Sequence, residues 1–207
     1  MSSPQPTGGT VPVGGQAPLL NIANALTCLR LLLVPVFVAA LLVEGGEDTF
    51  WRMTAFTVFV VAALTDRLDG QLARSRGLVT WFGALADPIA DKALTGAALV
   101  GLSMLGIVPW WVTIVILGRE IGITVLRFLV IRRRGVIPAS RGGKAKTVAQ
   151  TFAIGLFLLP LPLLFPDSLG AVLAVQWTVL VVALALTVAT GVDYVVKAVR
   201  APGGSPA

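Results

Sequence analysis

At 207 residues the chain suffices for one domain or one compact helical bundle. Hydrophobic residues make up 56% of it and charged residues 13%, with a mean hydropathy of +0.89; a soluble domain carries about 25% charged residues, so an ordinary water-facing surface is excluded. The net charge is +6 and histidine is absent, which excludes Ser-His-Asp chemistry and leaves a carboxylate, or less directly a shifted lysine, as general base.

Positions 1–18 are mostly Gly, Pro, Ser, Gln and Thr, without the basic start of a secretory leader, and read as a disordered tail. Six apolar runs follow, at about 24–43, 51–75, 83–105, 109–131, 147–165 and 170–198, each near the roughly 20 residues that cross a bilayer as a helix. The one cysteine, Cys28, lies in the first run and reads as a small hydrophobe. The loop after that run is acidic (Glu44, Glu47, Asp48), the turn over 106–109 is uncharged, and the Pro-rich link between the last two runs carries only Asp167. In contrast, Arg74 and Arg76 follow the second run, Arg132, Arg133, Arg134, Arg141, Lys144 and Lys146 the fourth, and Lys197 and Arg200 the sixth. Arg52 alone falls on the acidic side. The excess of cations near short loops then predicts an all-α, polytopic membrane protein of six transmembrane helices, with both termini cytoplasmic. The helical domain is expected over 19–200 and a second tail over 201–207. Basic residues bordering apolar spans fit anionic headgroups of the lipid bilayer, and no module for reading nucleic acid is present. Trp51, Trp110 and Trp111 fall at run ends, as interfacial aromatics do.

Five of the 10 acidic residues, Asp66, Asp69, Asp87, Asp91 and Glu120, fall inside predicted spans. An ionisable group there is costly and marks a cavity, a partner or an ion. Asp66 and Asp69 are three apart, with Gly70 and Ala73 continuing one helical face; Asp87 and Asp91 are four apart, with Gly83 one turn earlier. A turn over 75–80, where Gly77 breaks the helix, folds the two helices antiparallel about position 78. Asp69 then comes level with Asp87 and Asp66 with Asp91, with Asp69 and Asp87 within about 13 Å of the turn. Four converged carboxylates need counter-charge, and hard oxygen ligands suit Mg²⁺, Mn²⁺ or Ca²⁺ rather than Zn²⁺. Gly70, Ala73 and Gly83 leave one wall without bulk, which serves either a flat ligand or close helix packing.

The pattern Asp66-x2-Asp69-Gly70-x2-Ala73-Arg74-x8-Gly83-x3-Asp87-x3-Asp91 resembles the signature of the CDP-alcohol phosphotransferases. That resemblance implies a six-helix membrane fold, a homodimer, and transfer of a phosphoryl-alcohol group from a CDP-linked donor to a hydroxyl, with release of CMP. It implies Asp66, Asp69, Asp87 and Asp91 as ligands of Mg²⁺ or Mn²⁺, Asp91 also as general base, and Asp66, Gly70, Ala73 and Arg74 at the CDP moiety. It also implies an active site facing the cytoplasm from the cell (inner or plasma) membrane. Further segments are similar to the branch of the family that makes phosphatidylglycerophosphate from CDP-diacylglycerol and sn-glycerol 3-phosphate. These are 21–24 with Thr27 and Arg30, 87–92, 118–120 and 143–147, although Leu68 stands where that branch has an aromatic residue. For the acceptor phosphate the resemblance points to Arg119, Arg127, Lys144 and Lys146. Arg119 also admits a salt bridge with Glu120, and the two lysines admit the role of ordinary positive-inside residues. Two other readings stay open: another acceptor such as inositol phosphate, and a divalent-cation transporter.

Overall fold

The structure, a computed structural model, describes the backbone over 22–76, 81–134 and 141–200, without the side chains of 22–24, 66–76, 81–88, 91, 127–134 and 141. The expected tails at 1–18 and 201–207 and the turn residues 77–80 lie outside it. The described residues are helical, with no strand among them. The six predicted runs appear as six long helices: α1 (Ile22–Leu42), α2 (Thr49–Arg76), α3 (Trp81–Met104), α4 (Trp110–Arg134), α5 (Arg141–Leu158) and, after the one-turn α6 (Leu161–Leu164), α7 (Leu169–Arg200).

Local chemistry sets the helix ends. After α1 the chain reverses through Glu44, Gly45 and Gly46, all at positive φ (51°, 66° and 74°), a conformation that glycine adopts without steric cost. Asp48 then caps α2: its carboxylate accepts the backbone N–H of Trp51 at 2.8 Å, satisfying one of the orphan donors of the first turn. The acidic loop residue therefore has a structural task that charge counting does not reveal. Pro160, Pro162 and Pro166 break the apolar stretch between α5 and α7 into short turns.

α1 lies against both α2 and α3, α5 and α4 lie against α7, and α5 also touches α2 and α3. Phe37, Leu41, Phe59, Leu99, Ile154 and Leu158 are among the residues that fill the centre. Arg30 Nε of α1 donates to the Ala62 carbonyl of α2 at 3.3 Å, so these helices run antiparallel from the turn at 43–48. Gly101 faces Leu41 and Gly46 faces Leu105, so α1 and α3 run parallel. Ser103 and Thr113 share a 2.7 Å hydrogen bond between α3 and α4, and Gln150 reaches Thr187 at 2.9 Å while Gln176 reaches the Leu156 carbonyl at 2.7 Å between α5 and α7. Helix direction thus alternates along the chain.

Arg52, the cation on the acidic side, is buried in this framework. It donates to the carbonyls of Gly46 (3.0 Å), Phe157 (2.7 Å) and Leu158 (3.2 Å). These include the last carbonyls of α5, which have no partner within their own helix. The outward faces are apolar, with Leu32, Phe50, Ile114 and Val199 each more than 60% exposed. Among the described residues two segments, Ala25–Gly46 and Pro166–Arg200, are long and apolar enough to cross a membrane. Shorter apolar stretches run over Thr49–Thr65 in α2 and Lys92–Met104 in α3.

Candidate active site

Ala63 and Leu64 of α2 and Leu94 and Thr95 of α3 help line one cavity of about 330 Å³. One further turn along each helix reaches Asp66 on α2 and Asp91 on α3. Asp69, Gly70, Ala73 and Arg74 follow on α2, and Gly83 and Asp87 precede on α3, so all eight signature positions sit on these two helices below the cavity. The side chains of the four aspartates and of Arg74 and Arg127 lie outside the described residues. Among those that are described, no three acidic or cysteine side chains come together as a metal site.

The cavity is mostly apolar, with Phe56, Phe59, Val60, Phe152 and Leu156 in its wall. Arg30, fully buried, stands at its α1 side and is tied to the Ala62 carbonyl, one turn before Asp66. Sequence reasoning gave Arg30 no role beyond its place in a matched segment. Its signal was available: a cation inside the first apolar run, where a lone charge is costly.

A second cavity of about 210 Å³ lies between α3, α4 and α5, with Lys92, Glu120, Lys146, Gln150 and Thr151 in its wall. It shares Thr95, Thr147 and Thr151 with the apolar cavity, so the two adjoin. Lys146 is buried and ion-paired with Glu120. Arg119 pairs with the same carboxylate at 3.0 Å, and its other nitrogens donate to the Thr187 carbonyl (3.1 Å) and the Thr190 hydroxyl (2.9 Å) of α7. Of the four cations expected at an acceptor phosphate, the structure therefore brings two together, Arg119 and Lys146. Lys144 is exposed near the start of α5. Arg119 has the salt bridge that its sequence position admitted, and Glu120 is the pivot between α4 and α5.

Lys92 was not singled out from the sequence except as the end of a matched segment. Its ammonium donates to the Thr124 hydroxyl across the α3–α4 seam, which places a cation on the cavity wall facing α5. The only sequence signal was its place directly after Asp91.

A family model, CDP-alcohol phosphatidyltransferase, matches residues 20–189. The chain is 55% identical over 202 residues to a probable phosphatidylglycerophosphate synthase of Mycobacterium tuberculosis, covering 98% of this chain and 92% of that one. It is 36% identical over 150 residues to a CDP-diacylglycerol–glycerol-3-phosphate 3-phosphatidyltransferase of Bacillus subtilis (68% and 78% covered). A protein of the same name from Rickettsia felis is 33% identical over 177 residues (84% and 93% covered).

Proposed function

The chain belongs to the CDP-alcohol phosphatidyltransferase family, and on that premise we propose that it transfers the phosphatidyl group of CDP-diacylglycerol to sn-glycerol 3-phosphate, giving phosphatidylglycerophosphate and CMP. It is an enzyme of phospholipid biosynthesis. The observation that carries the reading is structural: the two helices that hold every signature position border an apolar cavity, which adjoins a second cavity walled by cations.

Each part of the substrate pair has a counterpart in this arrangement. The apolar cavity receives an acyl chain of the donor, and Gly70, Ala73 and Arg74 hold its nucleotide end with Asp66. Asp66, Asp69, Asp87 and Asp91 form an all-oxygen donor set, which fits Mg²⁺ or Mn²⁺; held there, the ion would supply neutralisation of the charge building on the pyrophosphate and on departing CMP. Asp91 takes the proton of the acceptor hydroxyl as its oxygen attacks the phosphatidyl phosphorus. The bond from that phosphorus to the CMP oxygen breaks, and CMP leaves. The acceptor phosphate sits in the cavity of Lys146, where Arg127 and Lys144 complete the basic set and Arg119, paired with Glu120, holds the carboxylate that positions Lys146.

The six long helices cross the membrane, with the signature end toward the cytoplasm, and the protein is a multi-pass component of the cell membrane. Helix alternation and the pile-up of cations at that end support this orientation. A homodimer follows from the family likeness, and the exposed face of α4 bearing Gly118 and Gly122 offers a close-packing surface for it.

The test is CMP release by purified protein in detergent with CDP-diacylglycerol, Mg²⁺ or Mn²⁺, and a series of acceptors. Release that requires both metal and glycerol 3-phosphate, and that Asp91→Asn abolishes in a protein that still folds and binds nucleotide, is the expected result. Release with inositol phosphate instead would change the acceptor. Wild-type turnover in Asp91→Asn would remove the base assignment, and no release with any acceptor would favour cation transport.

A further inference from the structure

We propose that Gly155 sets the length of acyl chain that this enzyme accepts: a chain of the donor enters sideways from the bilayer between α2 and α5, and its far end lies in the space that this glycine leaves open against Phe56. The inference rests on the donor reading above and deepens it. The apolar cavity has an open side, where Leu64 of α2 and Val148 and Phe152 of α5 line it and are 54%, 50% and 60% exposed. In a bilayer those faces meet lipid, so the cavity opens onto the acyl phase. A donor that stays in the membrane reaches it without passing through water.

The wall is graded along its length. Its polar members, Arg30, Thr95, Thr147 and Thr151, lie toward the signature positions: Arg30 is tied to the Ala62 carbonyl, one turn before position 66, and Thr95 stands one turn beyond position 91. The hydroxyls of Thr147 and Thr151 donate to carbonyls of their own helix, those of Gly143 at 3.1 Å and Thr147 at 2.9 Å, so their hydrogens need no ligand. Farther along, Phe56, Phe59, Gly155, Leu156 and Leu159 leave the wall without a polar side chain. A ligand that is polar at one end and apolar over the rest matches this gradient, and a wholly polar ligand does not.

Depth decides which part of the chain meets Gly155. Phe56 precedes position 66 by ten residues, about 15 Å at the helical rise, and one leaflet contributes about 15 Å to the hydrocarbon core. A donor with its diphosphate at the signature positions therefore brings the end of a long acyl chain level with Phe56, while an eight-carbon chain stops about halfway. Gly155 is buried opposite Phe56: a Cβ there would lie 3.6 Å from the Phe56 Cε2 and, apart from its own helix backbone, meet nothing else within 4 Å. Nothing in the backbone demands glycine, since its φ is not positive, and a helix interior favours alanine. What glycine supplies here is volume, and a larger side chain would project into the cavity that Gly155 lines.

The experiment compares wild type, Gly155→Ala and Gly155→Leu in the CMP-release assay, with the acceptor that wild type uses and two donors, CDP-dioleoylglycerol and CDP-dioctanoylglycerol, in the same mixed micelles. Micelle partitioning is common to all three proteins, so the ratio of kcat/KM for the two donors isolates the cavity. Gly155→Leu should lower the long-to-short ratio by roughly tenfold, the exclusion of about two methylenes from the cavity. Gly155→Ala should lower it in the same direction by less. Acceptor KM should stay unchanged, and the thermal midpoint should hold or rise, because the added side chain fills a cavity. Equal loss with both donors, or a ratio that Gly155→Leu leaves unchanged in a folded protein, overturns the proposal. Should Gly155→Leu not fold, Gly155→Ala decides, and an unchanged ratio there overturns the chain-length role. If wild type releases no CMP with any acceptor, the donor reading fails, and thermal stabilisation by dioleoyl- and dioctanoyl-phosphatidylglycerol decides the cavity by itself. A larger stabilisation by the long-chain lipid that Gly155→Leu abolishes would sustain the acyl site. Equal stabilisation by both lipids, none by either, or a difference that Gly155→Leu retains would overturn it.

Discussion

The guanidinium of Arg119 donates to a carboxylate, a backbone carbonyl and a hydroxyl at once, and two of these three acceptors belong to α7. Such an arginine is a structural tie between α4 and α7, and the close approach of Gly191 fits this. A Cβ there would meet the Arg119 Cγ at 3.1 Å and Nε at 3.2 Å. Arg119→Ala leaves the Thr187 carbonyl and the Thr190 hydroxyl without this donor, a loss worth about 1–3 kcal/mol. The expected outcome is a lower thermal midpoint in detergent, while Lys146 keeps Glu120 and acceptor KM moves by less than about tenfold. A larger rise in acceptor KM at an unchanged midpoint would instead make Arg119 a ligand of the acceptor phosphate. Arg52 follows the same logic at the other end of the bundle, where three carbonyls explain the one cation out of place in the charge pattern.

Helices α1 and α3 approach most tightly at Gly101. A Cβ on Gly101 would lie 2.6 Å from Cδ2 of Leu41, itself fully buried. Gly101→Ala should therefore cost about 1–3 kcal/mol by overpacking, and Leu41→Ala about 2–5 kcal/mol through the void it leaves. Together they should cost less than their sum, because the smaller side chain makes room for the added methyl; strictly additive losses in thermal midpoint would mean that the helices do not meet there. At this scale the sequence was largely legible. Each apolar run became a helix, since run length alone separates a span from a loop. The misses lie at helix ends and on polar inner faces. α5 begins at Arg141, ahead of the apolar run near 147, because Lys146 and Gln150 are buried against Glu120 and Thr187 in place of apolar side chains. The signature spacing put eight positions on two helices, yet the cavity of Lys92, Glu120 and Lys146 was not visible. Its walls come from three helices, and hydropathy along the chain carries no record of which polar residues face one another across them.

Across the whole molecule, alternating helices sort the chain's charge. The turns at 43–48, 105–109 and 159–168 gather at one end with Glu44, Glu47, Asp48 and Asp167, while Arg76, Arg134, Arg141, Lys197 and Arg200 gather at the other with the signature helices' shared end. In the orientation proposed from the positive-inside rule the second end lies in the cytoplasm, where glycerol 3-phosphate, a charged metabolite, and CMP would exchange freely with water. This orientation is open to direct measurement, since Cys28 is the only native cysteine and Cys28→Ser clears the background. Single cysteines at the exposed positions Glu47, Asp167 and Val199 would then report the side on which each lies. In intact cells a membrane-impermeant maleimide should label the first two, and the third only after the membrane is opened. Labelling in the reverse order would invert the protein and put its active site outside. Labelling of all three from one side would contradict the alternation of the helices itself, because Asp167 and Val199 mark opposite ends of α7, whose roughly 48 Å length at the helical rise exceeds the hydrocarbon thickness of a bilayer.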